Sequence, residues 1–160
     1  MKYAPLLIIT TILLTGCKDT NWKSSVPDFP VHIEINTRAG MFVNFVPDNV
    51  TTYLIVDDAG YHLNGINQPL LVTDAWGYAG TVIYIDGVHP YGAYDLCCPH
   101  CVERYHPIEV NGMFAVCPVC GEDYDLSYGY GVPTQGIAKN YLKTYKCNYN
   151  TVTGKLVVYN

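Results

Sequence analysis

Five of the seven cysteines of this 160-residue chain lie within residues 97–120, and four of them form two C-x2-C pairs. The first pair is Cys98 and Cys101, the second is Cys117 and Cys120, and 15 residues separate the pairs. Four thiolates at this spacing can enclose one metal ion in a closed tetrahedral site, as in zinc ribbons. Gly121 favours a tight loop after the second pair, because glycine readily adopts the left-handed conformation.

The rest of the chain is rich in short β-branched or aromatic segments separated by turn residues, and no long segment has a helical period. The 15 tyrosines suit half-buried sheet faces. These features predict an all-β domain. The predicted strands are Val31–Ile35, Phe42–Val46, Tyr53–Val56, Leu70–Val72, Thr81–Ile85, Tyr141–Tyr149 and Lys155–Tyr159. The predicted turns are Asp58-Ala59-Gly60, Asp86-Gly87, Asn111-Gly112 and Thr153-Gly154.

The N-terminal residues have the pattern of an export signal. Lys2 precedes an apolar run from Ala4 to Leu14, which is shorter than the roughly 20 residues that a membrane span needs. The run ends in Leu14-Thr15-Gly16-Cys17, which resembles a bacterial lipobox. The resemblance implies that Cys17 is acylated and anchors the chain to a membrane.

We therefore predict a lipoprotein signal peptide at 1–16, a lipid-proximal tether at 17–30 and one domain at 31–160. The implied location is the bacterial cell envelope, with the protein anchored by lipid on the periplasmic side or at the cell surface. The formal net charge of −5 is scattered along the chain, and an acidic chain of this kind lacks the basic surface that nucleic acid requires.

The cysteine-rich stretch also fits a second pattern. Cys98-x-His100, then 16 residues, then Cys117-x2-Cys120 resembles the Rieske motif, in which two cysteines and two histidines hold a 2Fe-2S cluster. The flanks are similar as well: residues 80–101 resemble the approach to the first Rieske loop, and "YDLSYG" resembles the segment after the second loop. Gly136-Ile137-Ala138 with Leu142 and Tyr145 resembles a further family motif, and Lys155–Tyr159 resembles the closing strand.

The resemblance to Rieske-like domains implies an antiparallel sheet base with an inserted metal-binding subdomain, roughly 96–127, shaped like rubredoxin or a zinc ribbon. The sequence departs from the family at Cys120, where a histidine is expected. In the iron-sulfur interpretation, Cys98 and Cys117 hold one iron, and His100 and Cys120 hold the other. In the alternative, Cys101 replaces His100, and four thiolates hold zinc or a single iron.

Two observations bear on this choice. The export signal lacks paired arginines, which suggests that the chain crosses the membrane unfolded and without a cluster made in the cytoplasm. If Cys17 is acylated and four cysteines bind metal, Cys97 and Cys147 remain and could form one disulfide in an oxidising compartment. Paired disulfides without metal are a third alternative.

We expect a non-enzymatic electron-transfer module that exchanges electrons with a partner protein of the envelope. The alternative is a structural or binding lipoprotein with a redox-silent zinc site made of four cysteines. Both metal schemes use Cys98, Cys117 and Cys120, and they differ in whether His100 or Cys101 is a ligand. The remaining histidines stand alone, and the serines lie in no nucleophile motif, so a hydrolase has no support.

Overall fold

The computed structural model describes residues 24–127, 130–135 and 140–160. In this part of the chain, thirteen strands accompany one short 3₁₀ helix at Gly40–Asn44, and the strand pairs are antiparallel. The predicted all-β class is therefore confirmed. The predicted signal peptide, the lipidated Cys17 and the motif at 136–138 lie outside the described residues. None of the helical residues described here belongs to a segment long and apolar enough to cross a bilayer.

The larger sheet has nine strands in the order β4-β3-β2-β6-β7-β12-β13-β1-β5. Its alternating burial follows from the strand period of two, so that Val31, Ile33 and Ile35 face the core while the residues between them face solvent. Its strands are β1 (Val31–Asn36), β2 (Tyr53–Asp57), β3 (Gly60–Leu63), β4 (Ile66–Gln68), β5 (Ala75–Trp76), β6 (Thr81–Tyr84), β7 (Gly92–Asp95), β12 (Thr144–Asn150) and β13 (Lys155–Tyr159).

The smaller sheet lies between β7 and β12 in sequence. It has four short strands in the order β11-β10-β9-β8, and it contacts the larger sheet through side-chain hydrogen bonds. Tyr53 donates to the carbonyl of Val110 at 3.2 Å, and Tyr94 donates to the carbonyl of Leu126 at 3.0 Å. The strands are β8 (Glu109–Asn111), β9 (Phe114–Val116), β10 (Asp123–Asp125) and β11 (Val132–Gln135).

Two hydrophobic cores lie in this structure. The first is under the larger sheet and includes Phe45 and Leu156. The second lies between β6, β7 and the smaller sheet, and it includes Tyr94, Cys98 and Cys117. The cysteine pairs are thus part of the interface between the two sheets.

The predicted strand at Phe42–Val46 is wrong, because residues 40–44 form a 3₁₀ helix. A three-residue turn places Phe42 and Phe45 on the same face, and both rings are buried. An extended strand would have pointed them to opposite faces.

The predicted strand at Leu70–Val72 is also wrong, because these residues form a turn. The amide of Leu71 donates to the carboxylate of Asp74 at 2.7 Å, and the amide of Asp74 donates back to the carbonyl of Leu71 at 3.0 Å. The apolar side chains drew the prediction, but Val72 is fully exposed. The local hydrogen bonds of the aspartate therefore outweigh the β-propensity of this segment.

Candidate metal centre

Two similar loops carry the C-x2-C pairs. In the first loop the amide of Val102 donates to the carbonyl of Cys98 at 2.8 Å, and in the second the amide of Gly121 donates to the carbonyl of Cys117 at 2.9 Å. Both donor residues are left-handed, with φ of 55° at Val102 and 72° at Gly121. Valine rarely adopts this conformation, so the surrounding structure holds the first loop closed at a cost that the glycine of the second loop avoids.

The loops bring four sulfur atoms together. The Sγ atoms of Cys98 and Cys120 are 3.8 Å apart, and those of Cys101 and Cys117 are 3.9 Å apart. The four Sγ atoms all lie within 4.8 Å of one another. Four sulfurs bound to one zinc at about 2.3 Å would be separated by about 3.8 Å, so the observed group has nearly the size of a single tetrahedron of sulfurs around one ion. It can hold a metal ion.

The site is buried on the side of the protein core and open on the other side. Cys98 and Cys117 are 1 % exposed, whereas Cys101 and Cys120 are half-buried. Burial raises the pKa of the Cys101 thiol, and hydrogen bonding with the sulfurs of Cys120 and Cys117 raises it further. A bound cation would reverse this effect, because a coordinated thiol loses its proton.

A tyrosine from the smaller sheet contacts the site. The Oη of Tyr124 lies 3.3 Å from the Sγ of Cys98, and the ring is fully buried. Burial raises the pKa of Tyr124, and its hydrogen bond with Cys98 raises it further. The phenol therefore stays protonated and donates to the cysteine sulfur, which stabilises negative charge there.

A buried carboxylate fixes the chain that enters the first loop. Asp95, at the end of β7, is fully buried and accepts hydrogen bonds from the amides of Tyr78 (2.7 Å), Ala79 (3.2 Å) and Cys97 (2.8 Å). It also accepts one from the hydroxyl of Tyr145 at 2.5 Å. Sequence reasoning did not identify Asp95, because its partners at 78, 79 and 145 are distant in sequence from the cysteine motif.

His100 does not join the sulfur group. Its side chain is exposed, and its Nδ1 atom lies 3.9 Å from the Sγ of Cys101 on the outer side of the loop. In a C-x2-C loop of this shape the first and fourth residues turn inward together. Cys101, rather than His100, therefore occupies the fourth corner of the tetrahedron.

The Cys97–Cys147 disulfide is not formed in the structure, which holds both as free thiols. β7 and β12 pair Tyr94 with Thr144, and along this register Cys147 is level with residue 91. Cys97 is then six residues away, roughly 20 Å along the strands at about 3.3 Å per residue. A disulfide requires Cα atoms within about 7 Å.

No protein-family model, curated protein or solved structure matches this chain. The resemblance to Rieske-like domains therefore stays a prediction from sequence.

The donor set decides what the group can do chemically. Four thiolates suit soft or borderline ions such as zinc, and they suit iron in mononuclear or cluster form. The four cysteines supply every corner of the tetrahedron, so a bound ion would have no position left for water or substrate. This closed arrangement is typical of structural and electron-transfer sites rather than of catalytic ones.

Proposed function

We propose that this chain is a lipoprotein of the bacterial cell envelope whose domain binds one zinc ion through Cys98, Cys101, Cys117 and Cys120. In this role the ion fixes the smaller sheet against the larger one and has no redox chemistry. The observation that carries the proposal is the single tetrahedral group of four sulfurs between the sheets. The lipid anchor rests on the lipobox-like sequence before Cys17.

The geometry supports one ion better than the 2Fe-2S cluster that the Rieske resemblance implies. A two-iron cluster needs two ligand pairs at opposite ends, separated by both irons, whereas here all four Sγ atoms lie within 4.8 Å. It would also require His100 in place of Cys101. A chain that crosses the membrane unfolded can acquire a single ion outside the cytoplasm more simply than an assembled cluster.

The second candidate is a mononuclear iron centre that transfers single electrons to a partner protein of the envelope. The half-buried positions of Cys101 and Cys120 favour it, because two of the four sulfurs would lie close to a docked partner. In this case Tyr124, which donates to the sulfur of Cys98, would stabilise the more negative ferrous state.

Metal analysis of the full-length chain, purified in detergent without air, separates the candidates. We expect about one equivalent of zinc per chain and no visible absorption, as for a closed zinc site of four thiolates. Mononuclear iron with thiolate charge-transfer bands and no acid-labile sulfide would overturn the zinc proposal in favour of the second candidate. Two irons with acid-labile sulfide would contradict both and support the cluster.

A further inference from the structure

A second cleft opens on the other side of the first cysteine loop, where the larger sheet meets the segment between the two cysteine pairs. Its volume is about 430 Å³, within the range of about 300–1,000 Å³ of small-ligand sites. Aromatic and charged side chains dominate its walls. The lining residues are Asp57, Asp58, Trp76, Tyr78, Ala79, Arg104, Tyr105 and Pro107.

One wall is fixed by the fold. It includes Trp76 and Tyr78, both half-buried. The backbone that carries Tyr78 is held by the buried carboxylate of Asp95, which accepts the amides of Tyr78 and Ala79. The same carboxylate accepts the amide of Cys97, so this wall and the start of the first cysteine loop share one anchor. Such a wall needs little reorganisation to receive a ligand.

The opposite wall carries ligand-facing groups. Tyr105 is 86 % exposed, and packing against the rest of the described chain does not explain an aromatic ring there. The guanidinium of Arg104 lies 5.4 Å from the ring centroid of Phe29 and 5.7 Å from that of Tyr78. These rings orient the guanidinium, while its N–H groups donate to no acceptor within the described residues.

The acids of the cleft keep acceptor capacity. Asp57 uses only Oδ1 in its hydrogen bonds with described residues, from the amide of Ala59 and with Nε2 of His62, both at 2.9 Å. Asp58 accepts no hydrogen bond from any described residue. The cleft therefore offers both hydrogen-bond donors and acceptors beside aromatic rings.

The charges narrow the class of ligand. The guanidinium of Arg104 already lies against the aromatic faces, and it would repel a cationic ligand seeking them. The two carboxylates of Asp57 and Asp58 would repel an anion. A neutral ligand with many hydroxyl groups and apolar C–H faces satisfies donors, acceptors and rings together.

We propose that this cleft binds a neutral saccharide, with a sugar ring against Trp76 or Tyr105 and its hydroxyl groups bonded to Asp57, Asp58 and Arg104. This role goes beyond the metal site and does not depend on which metal is bound there. Carboxylates and guanidinium groups suit vicinal hydroxyl pairs, because both present two parallel hydrogen-bonding positions.

The test is calorimetric titration of the full-length, metal-loaded chain with neutral oligosaccharides of α- and β-linked glucose, galactose and N-acetylglucosamine. Galacturonic acid and glucosamine serve as charged probes. We expect saturable binding of at least one neutral saccharide, tighter than of either charged probe. Failure of every neutral probe, or tighter binding of a charged one, would overturn the proposal.

Variants locate the site. Tyr105→Ala should weaken binding by about two- to tenfold, the range for one aromatic contact, and Arg104→Ala should weaken it as well. Both side chains are solvent-exposed, so the fold should be retained. The matched control is Tyr130→Ala, which removes another exposed tyrosine outside the cleft. Equal weakening by Tyr130→Ala, or no weakening by Tyr105→Ala, would contradict the assignment to this cleft.

Discussion

At the scale of single residues, the six cysteines of the described chain divide into four that share a site and two that do not. Cys120→Ser should lower the metal content far below one equivalent per chain and lower the melting temperature, because three thiolates leave the tetrahedron open. Cys147→Ser is the matched control, since Cys147 is half-buried in β12 outside the sulfur group. Metal analysis and thermal unfolding measure both effects. Full metal content in Cys120→Ser would contradict the assignment.

The four cysteines could be predicted from sequence because C-x2-C is a local pattern and its loop geometry is short-range. The choice between His100 and Cys101 could not, because both lie in the same loop and only the inward direction of each side chain decides. Asp95 was invisible for another reason: a lone aspartate gains its role from amides and a hydroxyl that only the tertiary fold brings to it.

Asp95 gives the second prediction. Asp95→Asn should lower the free energy of unfolding by about 3 kcal/mol, because each carboxylate oxygen accepts at least one backbone amide, so the NH₂ of asparagine must face an N–H in either orientation. Tyr145→Phe removes a single donor and should cost less, about 1.5 kcal/mol. Urea unfolding of the metal-loaded variants measures both. A larger loss in Tyr145→Phe would show that the backbone amides are not what Asp95 satisfies.

At the scale of elements, the turns between strands were predicted well and the isolated apolar segments were not. Residues such as Asp58-Ala59-Gly60 and Asn111-Gly112 specify a chain reversal locally, and the structure places each between paired strands. Phe42–Val46 and Leu70–Val72 have strand-like composition, but neither has a partner strand among the described residues. Propensity for a strand is realised only where a neighbouring strand supplies hydrogen bonds.

The hairpin β2–β3 and its neighbour β4 carry the third prediction. His62 on β3 lies 2.9 Å from Oδ1 of Asp57 and 2.9 Å from Oδ1 of Asn67. Burial alone would lower the pKa of His62, but the hydrogen bonds to Asp57 and Asn67 outweigh it and raise the pKa above its ordinary value of 6.5. Only the imidazolium can donate to both oxygens at once.

A raised folded-state pKa means that this contribution to stability is fully present below pH 6.5 and is lost as the pH rises through the folded pKa. His62→Gln should therefore destabilise the chain more at acidic pH than at alkaline pH. An NMR titration of His62 should give a pKa above 6.5, and Asp57→Asn should lower it. A cost of His62→Gln that does not change with pH would contradict the ion pair.

At the scale of the whole molecule, the two sheets differ in how much of their stability comes from the chain itself. Each of the four strands of the smaller sheet has only three or four residues. Its core side chains are shared with β6 and β7, and two of the four metal-binding cysteines are fully buried within that shared core. The larger sheet has its own core beneath it. Removal of a metal should therefore affect the two sheets unequally.

Hydrogen exchange with and without a chelator tests this difference. Chelation should increase exchange strongly in residues 96–127, because the protonated thiols of four clustered cysteines no longer hold the loops together. The amides of β1, β12 and β13 should keep their protection, since their ladders pair long strands far from the sulfurs. The Cys147→Ser variant, which keeps all four ligands, should respond to the chelator as the parent chain does. Equal loss of protection in both sheets would mean that the metal supports the entire fold, and no loss in either sheet would mean that packing alone holds the smaller sheet in place.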